Sequence, residues 1–244
     1  MYLREMNPAQ LHQAVAQNWP LLVPAGCIEY HGPHMALGTD TLIAEEVCKR
    51  LAERMSAVIA PSFAYGATGY ALSGPDMGTI DIDNLAFESY TKSVLRAFCG
   101  MGFQRIAVCV HHQGMDGPLA LAFRKAAAEL LFELPREAKG AGWWGAKLDL
   151  ADRDYRFNRI RVLPTYLSST RLDPSELGGG HAGRFETSLL LGVEPAYVEM
   201  EKLNTPDLPW FCTEHPAAQA TQELGERAFE AMAAAWEAEL RAWT

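Results

Sequence analysis

Three short apolar runs punctuate the first half of the chain: Leu21-Leu-Val, Ala57-Val-Ile-Ala and Ile106-Ala-Val-Cys-Val. Each has the length of a strand, and each is followed by Gly, Pro or His and then by helical periodicity. Ile43, Val47 and Leu51 recur every four residues after Thr39, and Leu85, Tyr90, Val94, Leu95 and Phe98 keep an approximate helical spacing between Asn84 and Gly100. Two Ala-rich stretches, Pro118 to Leu134 and Ala217 to Trp243, predict further helices. This alternation predicts a parallel sheet with crossover helices. From Lys139 to Gly180 the pattern changes: Gly, Arg and Asp surround a Trp143-Trp144 pair, and only Arg161 to Leu167 reads as a strand. Long irregular stretches inside a compact domain tend to be functional loops. No repeat, low-complexity tract or Ser/Pro-rich linker divides the chain, so one domain over residues 1–244 is expected.

Composition narrows the functional classes. The 49% hydrophobic and 21% charged content of the 244 residues is that of a globular domain, not of a disordered or fibrous chain. A formal net charge of -9 is the opposite of a basic nucleic-acid-binding surface, so no nucleic-acid partner is expected. No apolar run approaches the roughly 18 to 20 residues that span a bilayer, and the first eight residues lack an apolar signal core. A cytoplasmic protein without a membrane partner is therefore expected. The five cysteines, Cys27, Cys48, Cys99, Cys109 and Cys212, form no C-x-x-C pair and read mostly as small core hydrophobes.

The candidate chemistry lies in three short segments that hold five of the seven histidines: Glu29-Tyr-His31-Gly-Pro-His34, Val110-His111-His112-Gln-Gly114 and Gly180-His181-Ala-Gly-Arg-Phe-Glu186-Thr-Ser188. The first two directly follow predicted strands, whose carboxyl ends line the ligand crevice of an open parallel sheet. Glu29 and His31 lie two apart in extended backbone and project the same way, toward one metal or toward two adjacent ones. Asp40 follows on the turn that feeds a helix. Singly, each has a bland explanation: Asp40 complements a helix dipole, His112 is a satisfied core histidine, and Glu186 is a solvated carboxylate at a helix start. Together they are Glu, His, Asp, His, His and Glu in Gly/Pro-bearing turns, where packing explains little.

Pro24-Ala-Gly26-Cys-Ile-Glu29-Tyr-His31-Gly-Pro-His34-Met-Ala-Leu-Gly-Thr-Asp40-Thr resembles the N-terminal signature of the creatininase (creatinine amidohydrolase) family. His181-Ala-Gly-Arg-Phe-Glu186-Thr-Ser188 resembles its second signature, while Gly78-Thr-Ile and the strand into His112 match weaker blocks. The resemblance spans roughly residues 18 to 195. It implies a three-layer α/β/α sandwich with a mostly parallel central sheet, two divalent ions per subunit (Zn²⁺ or Mn²⁺, with Fe²⁺ a further option) and a homo-oligomer, often a hexamer. It further implies Glu29 and His112 on one ion, His31 and Glu186 on the other, Asp40 bridging both, and His181 as the catalytic histidine. In that arrangement two divalent ions, three carboxylates and one bridging hydroxide are neutral together, and the mixed N/O donors suit Zn²⁺ or Mn²⁺.

The chain also departs from the family. The common Asn-Gly-His-Gly-Gly-Asn turn is here Val110-His111-His112-Gln113-Gly114-Met115, and Gly114 stands where creatininases proper carry a metal carboxylate, so the ligand role falls to Glu186. Leu177-Gly178-Gly179-Gly180 replaces the aromatic residues expected before the catalytic histidine; Trp143 and Trp144 either substitute for them or pack as a buried pair. His111 and Gln113 are expected to bind substrate or to support the site, and His34 to support it as a neighbour of the ligands. The resulting expectation is a hydrolase cleaving a non-peptide C-N bond of a small molecule (a cyclic amide, lactam or formamide) by attack of a metal-bridging hydroxide, with His181 shuttling the proton. Trimming of a peptide or modified natural-product precursor, and a non-catalytic family member, are the alternatives. Trp210-Phe211, in a Pro-rich segment, is the expected exposed apolar contact of an oligomer.

Overall fold

Every residue of strand β1 (Leu21–Ala25) is buried, and its alternate side chains leave for opposite faces: Leu21, Val23 and Ala25 enter one apolar core, Leu22 the other. Strand β3 (Ile106–Val110) repeats the division, with Ile106, Val108 and Val110 on the first side and Ala107 and Cys109 on the second. Burial on both faces is the condition under which parallel strands become continuously apolar. The computed structural model describes residues 1–145, 158–173, 176 and 180–243. With β2 (Val58–Ile59) and β4 (Ile160–Pro164) the strands form a parallel sheet in the order β2-β1-β3-β4. Leu21 lies opposite Ile106 and Ala25 opposite Val110, which in turn lies opposite Pro164, so three strands end level with one another.

Helices α1 (Pro8–Ala16), α3 (Asn84–Gly100) and α4 (Pro118–Lys139) cover one face, where Phe87, Leu95, Phe123 and Leu130 fill the core. On the other face lie α2 (Thr39–Arg54), α5 (Arg184–Val193) and α7 (Gln222–Ala242), with Ile43, Val47, Leu51, Leu189, Phe229 and Trp236. A short α6 (Trp210–Glu214) precedes α7. The layers are those of the expected α/β/α sandwich. Among the described residues no helix is long and apolar enough to cross a membrane.

The boundaries differ where local chemistry overrides periodicity. Helix α4 continues beyond Leu134, through Pro135, to Lys139. In place of one helix from Ala217, a 3₁₀ turn over Ala217–Gln219 precedes α7, whose start is set by the Thr221 side chain accepting from Leu224 N. The strand expected over Arg161 to Leu167 is Ile160–Pro164, and β2 is shorter than its apolar run. Helix α1 escapes a periodicity reading but carries a local signal, a capping box in which Asn7 and Gln10 bond each other's backbone, with Pro8 at the first helical position. Trp143 is buried, packed edge-on to Phe132 and stacked on the exposed Trp144. Leu177, Gly178 and Gly179 lie outside the described residues.

Two close backbone approaches hold the layers where the candidate chemistry needs them. A Cβ on Gly26, just past β1, would overlap the backbone of Asp40 and Thr41 at the start of α2. A Cβ on Gly225 of α7 would overlap the Ser188 carbonyl of α5. Gly225→Ala is therefore expected to destabilise the fold by about 1–3 kcal/mol, as overpacked substitutions do. Urea unfolding should show this as a lower midpoint at unchanged slope.

Candidate metal centre

From β1 the chain passes to β2 on one side of the sheet; β3 and β4 lie on the other. The crevice beyond the carboxyl ends of β1 and β3 is thus the topological switch point, where open α/β sheets bind ligands. The segment after β1 brings in Glu29, His31 and His34 and delivers Asp40 to the first turn of α2. The segment after β3 brings in His111 and His112. The loop before α5 supplies His181, and the first turn of α5 supplies Glu186. Two of the candidate site histidines, His112 and His181, are each followed by a residue with positive φ, Gln113 (52°) and Ala182 (53°). Non-glycine residues are held there only when surrounding contacts compel it, a condition common at functional sites.

All six residues expected at the centre come together. Asp40, 2% exposed, divides its two oxygens. Oδ1 lies 3.4 Å from His31 Nε2, and Oδ2 lies 2.9 Å from His112 Nδ1. Glu29 Oε2 stands 3.4 Å from His112 Nδ1, and Glu186 Oε2 stands 3.7 Å from His31 Nε2. His31 Nδ1–H donates to the Glu29 carbonyl (3.0 Å), which directs Nε2 at the carboxylates. That Nε2 is buried with no hydrogen bond of normal geometry among the described residues. His181 packs on His31 with ring centroids 4.1 Å apart and donates Nε2–H to the Tyr30 carbonyl (2.7 Å). Its Nδ1 therefore faces the centre, 3.9 Å from Glu29 Oε2.

The neighbouring polar residues are engaged with the protein. His34 Nε2 pairs with Thr187 Oγ1 of α5 at 3.0 Å, joining the first loop to that helix. His111 pairs through Nδ1 with Thr165 Oγ1 (2.7 Å) and through Nε2 with Glu186 Oε1 (3.3 Å). The Gln113 amide donates to the Thr68 carbonyl. Above the centre opens a cavity of about 610 Å³, lined among others by Leu72, Met115, Tyr166, Phe185, His111 and Gln113. Neither Trp143 nor Trp144 is among its described lining residues. Trp210 is exposed as expected, but Phe211 turns inward, its ring 5.2 Å from that of His181.

Cys27 has a polar contact besides its place in the core. All five are free and buried, yet the Cys27 thiol donates to Asp40 Oδ2 at 2.9 Å and lies 3.3 Å from His112 Nδ1. The donor atoms of Cys27, Glu29, Asp40 and His112 all fall within 4.8 Å of one another; His31, Asp40 and Glu186 form a second such group, and Glu29, His31 and His181 a third. The signal was available in the period-two argument, which places Cys27 on the same side as Glu29 and His31.

A family profile described as "Creatininase: Creatinine amidohydrolase" matches residues 4–240. The chain is 26% identical over 188 residues to the creatinine amidohydrolase of Pseudomonas putida, covering 75% of this chain and 67% of that protein. It is 32% identical over 200 residues to the mycofactocin precursor peptide peptidase of Mycolicibacterium smegmatis, covering 80% and 64%. It is 24% identical over 201 residues to the 3-dehydro-scyllo-inosose hydrolase of Thermotoga maritima, covering 82% and 58%. The matches thus span about three fifths to two thirds of these curated relatives. Among solved structures, a mutant creatininase described as of Zn-Zn type superposes with a TM-score of 0.78 at 22% identity, covering 98% of this chain and 96% of that one. A creatininase described with Mn gives 0.76 at 23% identity, covering 98% and 97%.

The donor set fits divalent ions. His112 Nδ1 and Asp40 Oδ2 are at hydrogen-bond distance, but three other imidazole–carboxylate pairs, 3.4 to 3.7 Å apart, are too distant for good hydrogen bonds and have the spacing of neighbouring ligands on one ion with bonds of about 2.0–2.2 Å. Burial raises the Glu29 carboxyl to about 7, against the pull of the His112 charge. For His31, burial works downward, but Glu186 and Asp40 outweigh it and lift the ring to about 10. Asp40 moves the other way: despite its burial, His31 and His112 hold it well below the usual carboxylate range. Protons on His31 and Glu29 thus occupy the role a divalent cation would take, and binding must displace them. Zn²⁺ affinity is expected to rise with pH through the window from about 7 to about 10, with proton release on binding. Calorimetry in buffers of different ionisation enthalpy measures this directly. Affinity independent of pH and buffer would contradict it.

Proposed function

The chain belongs to the creatininase family, and from that membership we propose that it is a hydrolase working with two divalent ions, Zn²⁺ or Mn²⁺, on the C-N bond of a small molecule. The observation carrying this reading is the division of Asp40, whose two oxygens face two different imidazoles 3.4 and 2.9 Å away. Glu29 and His112 would hold one ion and His31 and Glu186 the other, with Asp40 common to both. Two of the three groups of converging donors share Asp40, which supports this assignment. When bound, the ions supply Lewis acidity that lowers the pKa of a water and polarises the scissile carbonyl.

The protein residues then handle the proton. Because His181 Nε2–H is tied to the Tyr30 carbonyl, the free lone pair is on Nδ1, on the side of Glu29. Burial lowers its pKa, so the ring is neutral at neutral pH and can accept the proton given up by the attacking water. Delivered to the leaving nitrogen, that proton completes cleavage of a bond whose amine is otherwise a poor leaving group. Phe211 against the ring and the Tyr30 carbonyl keep it in this orientation.

A second reading, trimming of a peptide or a modified natural-product precursor, is favoured by the 32% identity to a peptide peptidase, above the 26% to a creatinine amidohydrolase. A panel of lactams, formamides and short C-terminal peptides separates the two. Homo-oligomerisation is also proposed, supported by Trp210, 67% exposed beside the buried Phe211. Light scattering should give a multiple of the chain mass at micromolar concentration; a monomer would refute it.

Plasma emission analysis is expected to find two ions per chain. His181→Ala should retain them and lose about 10²- to 10⁴-fold in kcat. Asp40→Asn should empty at least one position and abolish turnover. Equal metal loss in both variants would make His181 a ligand and overturn the division of roles.

A further inference from the structure

Glu186 has a competing local use. It sits at the third position of α5, and its Oε2 accepts the Ala182 backbone N–H at 2.6 Å, the way a carboxylate caps its own helix. A carboxylate held by that single bond is free to rotate about it and to turn its other oxygen into the cavity. The structure prevents this from the far side. Glu186 Oε1 lies 3.3 Å from His111 Nε2, and His111 Nδ1 lies 2.7 Å from the hydroxyl of Thr165. An ionised carboxylate only accepts, so Nε2 carries the hydrogen and Nδ1 accepts from Thr165. Three elements are thereby linked: the residue after β4, the residue after β3 and the first turn of α5.

We infer that His111, braced at Nδ1 by the Thr165 hydroxyl, is a positioning residue that turns Glu186 toward His31 and so builds the second ion's position. The inference rests on the two-ion reading above. Both His111 nitrogens are occupied by protein partners although the residue lines the cavity, which argues for orienting a ligand over contacting a substrate. A histidine here also does what glycine in the same turn cannot, since only a long donor spans from β3 to α5. Partners of this kind, one bond removed from the metal, typically change ion affinity by about 10- to 100-fold.

The test is stepwise Zn²⁺ titration against a chromophoric chelator. His111→Ala is expected to weaken the second Zn²⁺ by about 10- to 100-fold and leave the first unchanged. Thr165→Val should shift the same step less, and His111→Gln, whose amide nitrogen reaches the place of Nε2, should restore it. Melting curves on each variant guard against misfolding, and Thr165→Val serves if His111→Ala fails to fold. Equal weakening of both ions, or no change in either, overturns the inference. Unchanged ion affinities with a raised KM would make His111 a substrate contact instead, also overturning it. If wild-type protein takes up fewer than two Zn²⁺, the two-ion reading fails and takes this inference with it; two ions in wild type with an unaltered second step in the variants sinks the inference alone.

Discussion

Negative charge concentrated out of water is the constraint on which the rest of this structure turns. Glu29 and Asp40 are almost fully buried and Glu186 partly so, within hydrogen-bonding or ion-pairing reach of four imidazoles, those of His31, His111, His112 and His181. An unpaired buried carboxylate is strongly destabilising, so each must find positive charge or donors. Two sit in the first turns of helices, Asp40 in α2 and Glu186 in α5, where the backbone dipole favours an anion. The helix-start placement that explains Asp40 alone also serves the centre, because both helices point their starts into one crevice. What remains uncompensated is the charge that protons on His31 and Glu29, or divalent ions, must supply.

The scaffold keeps that charge in place by close packing of backbone. Gly26 lets β1 run against the start of α2, and Gly225 lets α7 press on α5, so both carboxylate-bearing helices are fixed relative to the sheet. The His34–Thr187 bond ties the loop after β1 to α5, and the His181–Tyr30 bond ties the loop before α5 back to it. The donor groups are thereby held across elements with no contact along the chain. Cys27 belongs to this arrangement: burial and the neighbouring Asp40 push its thiol pKa up, which keeps it a neutral donor to Asp40 Oδ2. A neutral donor there leaves the charge balance of three carboxylates undisturbed.

Read alone, the sequence determined the sheet-and-helix alternation, the parallel sheet and the three segments whose histidines and carboxylates come together. Those follow from periodicity, and from His, Asp and Glu lying in turns where packing has no use for them. The signatures around Glu29, Asp40 and Glu186 also determined the family. Tertiary structure alone decided which atoms meet. Asp40 and His112 are 72 residues apart, and His31 and Glu186 lie on separate elements, so no local rule relates their oxygens and nitrogens. Nothing in the cysteine spacing singled Cys27 out from the other cysteines, because a buried thiol and a donor to a carboxylate look alike until the neighbour is seen. His111 was left between substrate and support for the same reason: its role is set by Thr165 and Glu186, 54 and 75 residues away, which come into reach only when the strand ends align.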